Sequence, residues 1–218
     1  MSEILKKEIF YIRHAEPDTN NWADRSHCDI DLTEKGEFQA KLAAERFRGR
    51  EINYLFSSPL VRCIKTAVAF ANVLGTHPEI IVIPELIENG SLPDYKGVDM
   101  EHLAGYYDNL TLCEEKLYDF PNGENESDEV NVERAEIITA WMKEKLQYGE
   151  KALVFCHGSF GNYFIPAAVG MKQGDYILSL SHTSVTKIKY TSDGKQRISF
   201  MNDISHLRPL LPDYEFDT

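Results

Sequence analysis

The sequence predicts an α/β fold, a three-layer α/β/α sandwich with helices on both faces of a mainly parallel central sheet. Three observations carry this. Short runs of β-branched and aromatic residues alternate with longer stretches of helical character, the order that parallel strands joined by crossover helices require. Two of the runs, Ile80–Ile83 (IIVI) and Ala152–Cys156 (ALVFC), are apolar without alternation, as strands covered on both faces are. With 218 residues, 43% hydrophobic and 27% charged, the chain is long and apolar enough for one domain that buries roughly 70% of its unfolded surface. A single domain over residues 1–218 is expected.

Taken in order, Glu8–Arg13 (EIFYIR) reads as the first strand, and a polar loop follows through Asp31. Thr33 is a good N-cap, Glu34 suits a first helical turn, and Ala40, Leu42, Ala43, Ala44 and Phe47 give that helix an apolar side until about Gly49. Tyr54–Ser57 is a second strand. Ser58-Pro59 then reads as an N-cap with proline at the first position of a second helix. Ile80–Ile83 is the third strand. From Glu88 to about Val130 the pattern breaks into glycine, proline, acids and aromatics, with one short helix expected around Asp99–Tyr107, so residues 88–130 read as a cap inserted over a sheet edge and the active site. A helix over about Asn131–Leu146, a strand at Ala152–Cys156 and a helix at Asn162–Val169 restore the alternation. Val185–Tyr190 and Arg197–Asn202 flank Asp193-Gly194, a hairpin signal.

Charge narrows the partners. The net charge of −12 argues against nucleic acid, whose backbone is bound through clustered Lys and Arg. Nine acids and two bases give Glu114–Glu136 a local net of −7, so most of the excess lies in one segment. The opening MSEILKK is too polar for a signal peptide and no apolar run approaches the roughly 20 residues that span a bilayer, so a cytoplasmic protein without membrane contact is expected. Cys28, Cys63, Cys113 and Cys156 form no C-x-x-C pair and read as reduced thiols.

Two strands end alike. Ile12-Arg13-His14-Ala15-Glu16 and Phe155-Cys156-His157-Gly158 each place a histidine at the carboxyl end of an apolar strand, where the functional residues of parallel sheets collect. Arg62, in Ser57-Ser58-Pro59-Leu60-Val61-Arg62, adds a guanidinium to the first turn of a helix. A helix N-terminus is itself a natural seat for phosphate. A metal held by His14 and His157 is disfavoured, because two neighbouring arginines would repel a cation.

These segments resemble the histidine phosphatase superfamily, the phosphoglycerate mutase-like proteins. Arg13-His14-Ala15-Glu16-Pro17 is similar to that family's Arg-His-Gly-Glu-Thr motif, Ser57-Ser58-Pro59-Leu60-Val61-Arg62 to its Ser-Ser-Pro-x-x-Arg, and His157-Gly158 to its second histidine motif. Leu32-Thr33-Glu34-Lys35-Gly36, Gly123-Glu124 and Asn202–Leu207 extend the likeness in order along nearly the whole chain. Ala15 replaces the usual glycine, and Pro17 the usual hydroxyl residue.

The resemblance implies a phosphoglycerate mutase-like fold and assigns roles residue by residue. His14 is the implied nucleophile, and Arg13, Arg62 and His157 surround the phosphoryl oxygens. Asn20, six residues after His14 and beside Asn21, falls where relatives place a phosphate-contacting asparagine. Glu88 is the implied acid, with Glu85 as its rival three residues earlier, and His206 reads as a structural fastener of the C-terminal loop. Tyr106, Tyr107 and Tyr118 read either as lining a substrate entrance or as packing the insertion, and His27, His77, His102 and His182 fall in no supporting pattern. No metal and no cofactor are implied. The expected partner is a small phosphorylated substrate, with a homodimer left open.

Three functions compete. A phosphomonoesterase hydrolyses the phosphohistidine. A phosphoglycerate-type mutase returns the phosphoryl group to a sugar acid, and a non-catalytic relative only binds. Between Glu88 and Glu133 the bases are Lys96 and Lys116 alone, too few to hold the second phosphate of a bisphosphorylated intermediate. Hydrolysis is the primary expectation.

Overall fold

The computed structural model describes residues 5–19, 29–89, 95–119, 126–172 and 177–210. Its centre is a seven-stranded sheet formed by β1 (Lys6–Arg13), β2 (Tyr54–Ser57), β3 (Ile80–Val82), β4 (Leu110–Leu112), β5 (Lys151–Cys156), β6 (Val185–Thr191) and β7 (Gln196–Asp203). The spatial order is β4-β3-β2-β5-β1-β6-β7. The first five in that order run parallel, while β6 and β7 form an antiparallel hairpin against β1.

Helices cover both faces, because successive residues of the central strands point to opposite sides. Phe10, Ile12, Leu153 and Phe155 pack with α1 (Glu34–Glu45) and α2 (Val61–Leu74), through Ala43, Ala44, Cys63, Ala67 and Phe70. Ile9, Tyr11, Ala152 and Val154 pack with α4 (Asp128–Lys145) and α5 (Gly161–Ala168), through Ile138, Met142, Phe164 and Ile165. This two-sided burial explains why β5 reads as an unbroken apolar run. The remaining helix, α3 (Met100–Ala104), is short and is capped by the Asp99 side chain.

Several boundaries differ from expectation for identifiable reasons. Helix α2 begins at Val61 rather than at Pro59, because the Ser58 hydroxyl lies 2.7 Å from His157 Nε2 and the Asp29 carboxylate accepts the Val61 N–H at 2.6 Å. Helix α4 starts three residues earlier than its apolar pattern suggests, since Ser127 caps it and Asp128 and Glu129 complement the dipole of its first turn. Within residues 88–130, Leu110–Leu112 joins the sheet as an edge strand parallel to β3. Three residues with an exposed outer face carry too little periodicity to be read as a strand. Of the tyrosines in this region, Tyr107 is buried and donates to the Pro78 carbonyl at 2.8 Å, while Tyr118 donates to the exposed Glu133 at 3.1 Å.

Candidate active site

The register of the sheet brings the two histidine motifs together. Arg13 pairs with Cys156 across β1 and β5, so His14 and His157 are the next residues of adjacent parallel strands. The His14 N–H donates to the Cys156 carbonyl at 2.8 Å, and the two imidazole centroids stand 5.2 Å apart. His157 is fully buried and His14 is 4% exposed. On the other side of β5, β2 delivers Ser58 beside this pair and the first turn of α2 supplies Arg62, which is also buried.

The hydrogen bonds define the state of each ring. His14 Nδ1 lies 2.8 Å from the Ala15 carbonyl, which can only accept. Nδ1 therefore carries the proton, and the lone pair sits on Nε2, as a nucleophile requires. Burial, then Arg62 and Arg13, hold the His14 pKa well below its ordinary 6.5. Burial and Arg62 do the same to His157, whose ring is steadied by the Ser58 hydroxyl and by the Cys63 thiol 3.5 Å from Nε2. Both rings are neutral at pH 7.

Two glycines of the sequence motifs gain a physical reason here. A Cβ on Gly158 would stand 3.0 Å from Arg13 Nε, so the His-Gly pair leaves room for the Arg13 guanidinium. A Cβ on Gly36 would stand 2.2 Å from the Glu16 carbonyl oxygen, so the first turn of α1 closes directly on the loop that follows His14. The same loop is tied to α2 by the Ala15 N–H, which donates to Thr66 Oγ1 at 3.1 Å. Ala15 itself is buried with Leu32 and Ala40, which makes the departure from glycine a packed methyl group. Arg13 donates from one terminal nitrogen to the Leu180 carbonyl, while its buried Nε–H has no hydrogen-bond partner among the described residues. Burial lowers the Arg13 pKa, and the nearby Glu88 carboxylate opposes that shift.

The two candidate acids separate clearly. Glu88 Oε1 accepts the Phe160 N–H at 2.8 Å and the Asn89 N–H at 3.1 Å, just ahead of α5. Burial raises its pKa above the usual 4.5, against the opposing pull of the Phe160 amide and of Arg62. Glu85 instead turns toward residues 117 and 118, whose N–H groups it accepts at 3.0 and 3.2 Å. It fastens a loop. Asn20 lies outside the described residues, and so does Gly123-Glu124. At the α2 N-terminus the Val61 N–H is taken by the Asp29 carboxylate at 2.6 Å.

One residue escaped the motif reading. His182 stands with its ring centroid 5.6 Å from that of His14. It lies just before β6, and the pairing of Val185 with Ile12 carries it to His14. The signal available in the sequence was the hairpin itself, whose first strand had to pair with something near the first histidine. His206 fastens the C-terminal turn as expected, with Nε2 3.0 Å from Thr183 Oγ1 and Nδ1 3.2 Å from an Arg46 nitrogen.

Burial also makes these imidazoles sensors of acid. His14 and His157 are depressed well below 6.5, and His182 and His206 to about 4, chiefly by burial. Between pH 6.5 and 4 the unfolded chain therefore binds more protons than the folded one, and stability falls as pH falls through that window. Thermal melts from pH 7 to 4 should show a steadily decreasing Tm; a flat profile would mean that these rings protonate in the folded state.

Comparison with known proteins agrees with this geometry. The chain is 24% identical over 208 residues to a proposed phosphoserine phosphatase of Hydrogenobacter thermophilus, covering 94% of this chain and 99% of the relative. It is 27% identical over 213 residues to phosphoglycerate mutase-like protein 4 of Arabidopsis thaliana, covering 92% and 86%. Its fold matches a crystal structure of a mutant phosphoserine phosphatase from Entamoeba histolytica in complex with phosphoserine, with a TM-score of 0.65, 21% identity, and coverage of 92% and 99%. The ecdysone phosphate phosphatase of the silkworm, in complex with tungstate, matches with a TM-score of 0.67 at 20% identity, covering 84% and 88%. The family model of the histidine phosphatase superfamily (branch 1) matches residues 9–204, so the chain that places His14 beside His157 belongs to that superfamily.

Proposed function

We propose that this protein is a phosphomonoester hydrolase that acts on a small phosphorylated metabolite through a phosphohistidine on His14. The observation that carries the reading is a buried imidazole whose Nδ1 is committed to the Ala15 carbonyl, 5.2 Å from His157 and within the field of Arg13 and Arg62. In the first step His14 Nε2 attacks phosphorus, the P–O bond to the alcohol breaks, and the Glu88 carboxyl gives its proton to the departing oxygen. In the second, Glu88 takes a proton from water, the water oxygen attacks phosphorus, and the N–P bond breaks to release inorganic phosphate. Arg13, Arg62 and His157 stabilise the charge on the equatorial oxygens in both steps. Asn20 is the further phosphate contact that the family resemblance suggests.

Hydrolysis is favoured over mutase chemistry by residues 88–130, which in this proposal form the cap of a single domain. Its lysines are Lys96 and Lys116, few bases with which to hold a second phosphate. The free thiols of Cys63, Cys113 and Cys156 support a cytoplasmic setting. A homodimer is compatible with this reading, and the mechanism does not require one. Turnover of an aryl phosphate in the presence of a chelator tests the assignment, and efficient interconversion of 3- and 2-phosphoglycerate would overturn it.

Glu88→Gln separates the acid from its rival. It should lower kcat for an alkyl phosphate by about 10²–10⁴-fold while slowing phosphorylation by an aryl phosphate far less, because a phenolate needs little protonation to leave. Glu85→Gln should show no such dependence on the leaving group. The reverse pattern would make Glu85 the acid.

A further inference from the structure

Burial decreases outward across three imidazoles, from His157 at 0% through His14 at 4% to the partly exposed His182. The His14 and His182 centroids are 5.6 Å apart with their planes inclined by 38°. The ring nitrogens of His182 take no hydrogen bond among the described residues. The segment that carries His182 is held in a costly conformation. Thr183, a β-branched residue, has φ of +56°, which L-residues with a branched Cβ rarely adopt. Its N–H donates to the Arg13 carbonyl at 3.0 Å, its hydroxyl meets His206, and the Ser181 N–H donates to Asn202 Oδ1 at 2.7 Å. Bonds on both sides of His182 thus maintain a strained turn that sets its ring beside the nucleophile.

We propose that His182 is a third imidazole of the reaction site, a substrate-contacting residue that donates a hydrogen bond to an anionic oxygen of the bound phosphomonoester. The inference rests on the phosphatase reading and adds a residue to it. The charged groups around His182 are Arg13 from β1, Glu16 from the loop after β1 and Lys35 from α1, and His14 adjoins it. Lys35 and Glu16 pair with each other at 2.7 Å, and Arg13, itself under the influence of Glu88, is the charge that acts most strongly on the ring. Without ligand, burial and Arg13 keep the ring neutral, with its pKa lowered to about 4. A phosphoryl dianion reverses the sign of that field and favours the protonated imidazole, which has two donors.

Orthovanadate, an analogue of the phosphoryl group, provides the test. The imidazole signals of the ¹⁵N-histidine-labelled protein are titrated by NMR with and without saturating vanadate, and His182 is assigned by loss of its signal in His182→Gln. The His182 pKa should rise by at least one unit on vanadate binding, and His182→Gln should raise KM for an aryl phosphate about tenfold or more while keeping its Tm. If vanadate shifts the His14 signals and leaves the His182 titration where it was, the contact is absent although the phosphatase reading stands. If vanadate perturbs no histidine, the phosphatase reading fails and this inference with it.

Discussion

His14→Ala abolishes turnover of an aryl phosphate, with kcat reduced by at least about 10⁴-fold, because the variant has no atom on which the phosphoryl group can rest. The loss should be the same at every pH and in the presence or absence of chelator. The fold should survive, since His14 contributes one side-chain hydrogen bond, to its neighbour Ala15, and the backbone N–H that bonds Cys156 is retained. Wild-type protein quenched in acid-free denaturant after mixing with substrate should carry one acid-labile phosphoryl group, and the variant none. Substantial activity in His14→Ala, or a stable phosphoryl group on another residue, would sink the mechanism.

The largest effect on stability is expected at Arg134. Its side chain is fully buried in α4 and makes an ion pair with Glu126 at 2.7 Å, where both groups are nearly inaccessible. The guanidinium also donates to the Glu85 and Ile87 carbonyls at 2.8 and 2.9 Å and stacks 4.0 Å from the centroid of Phe160. It thus grips the chain immediately before Glu88. Arg134→Met leaves a buried carboxylate and two carbonyls without their donor, a loss of about 3–5 kcal/mol. Replacing both partners, Arg134→Met with Glu126→Leu, should recover a large part of it, because the uncompensated charge is removed. Urea denaturation of the two variants checks this, and equal destabilisation by single and double substitution would show that the carbonyl contacts, rather than the ion pair, dominate. Because the carbonyls of residues 85 and 87 frame Glu88, the single variant should also lose kcat for alkyl phosphates.

Arg134 changes the meaning of the acidic segment. Nine acids between Glu114 and Glu136 look like a solvated surface, and Glu115 and Asp128 are indeed exposed while bonding the Trp141 indole at 2.8 Å and the Tyr163 hydroxyl at 2.6 Å, but the Glu126 side chain is buried against Arg134. A net charge therefore predicts the field far from a protein better than the fate of any one carboxylate.

What the sequence determined by itself was whatever depends on periodicity and on contiguous motifs. The strand runs from Glu8 and Ala152, the cap at Thr33 and the Asp193-Gly194 turn are local choices, and the structure repeats them in β1, β5, α1 and the β6–β7 hairpin. The convergence of Arg13, His14, Arg62 and His157 was legible because each stands in a motif that adjoins a strand end, and parallel strands bring such ends together. Strand order and loop packing decided the rest. Where the Glu85 and Glu88 carboxylates turn depends on which amides meet them, those of residues 117 and 118 or that of Phe160, and both partners are distant in sequence. The capping of α2 by Asp29 and the approach of His182 to His14 arise from contacts spanning 32 and 168 positions of chain. No local propensity encodes such a contact, because it is selected by the packing of the whole sheet and the helices upon it.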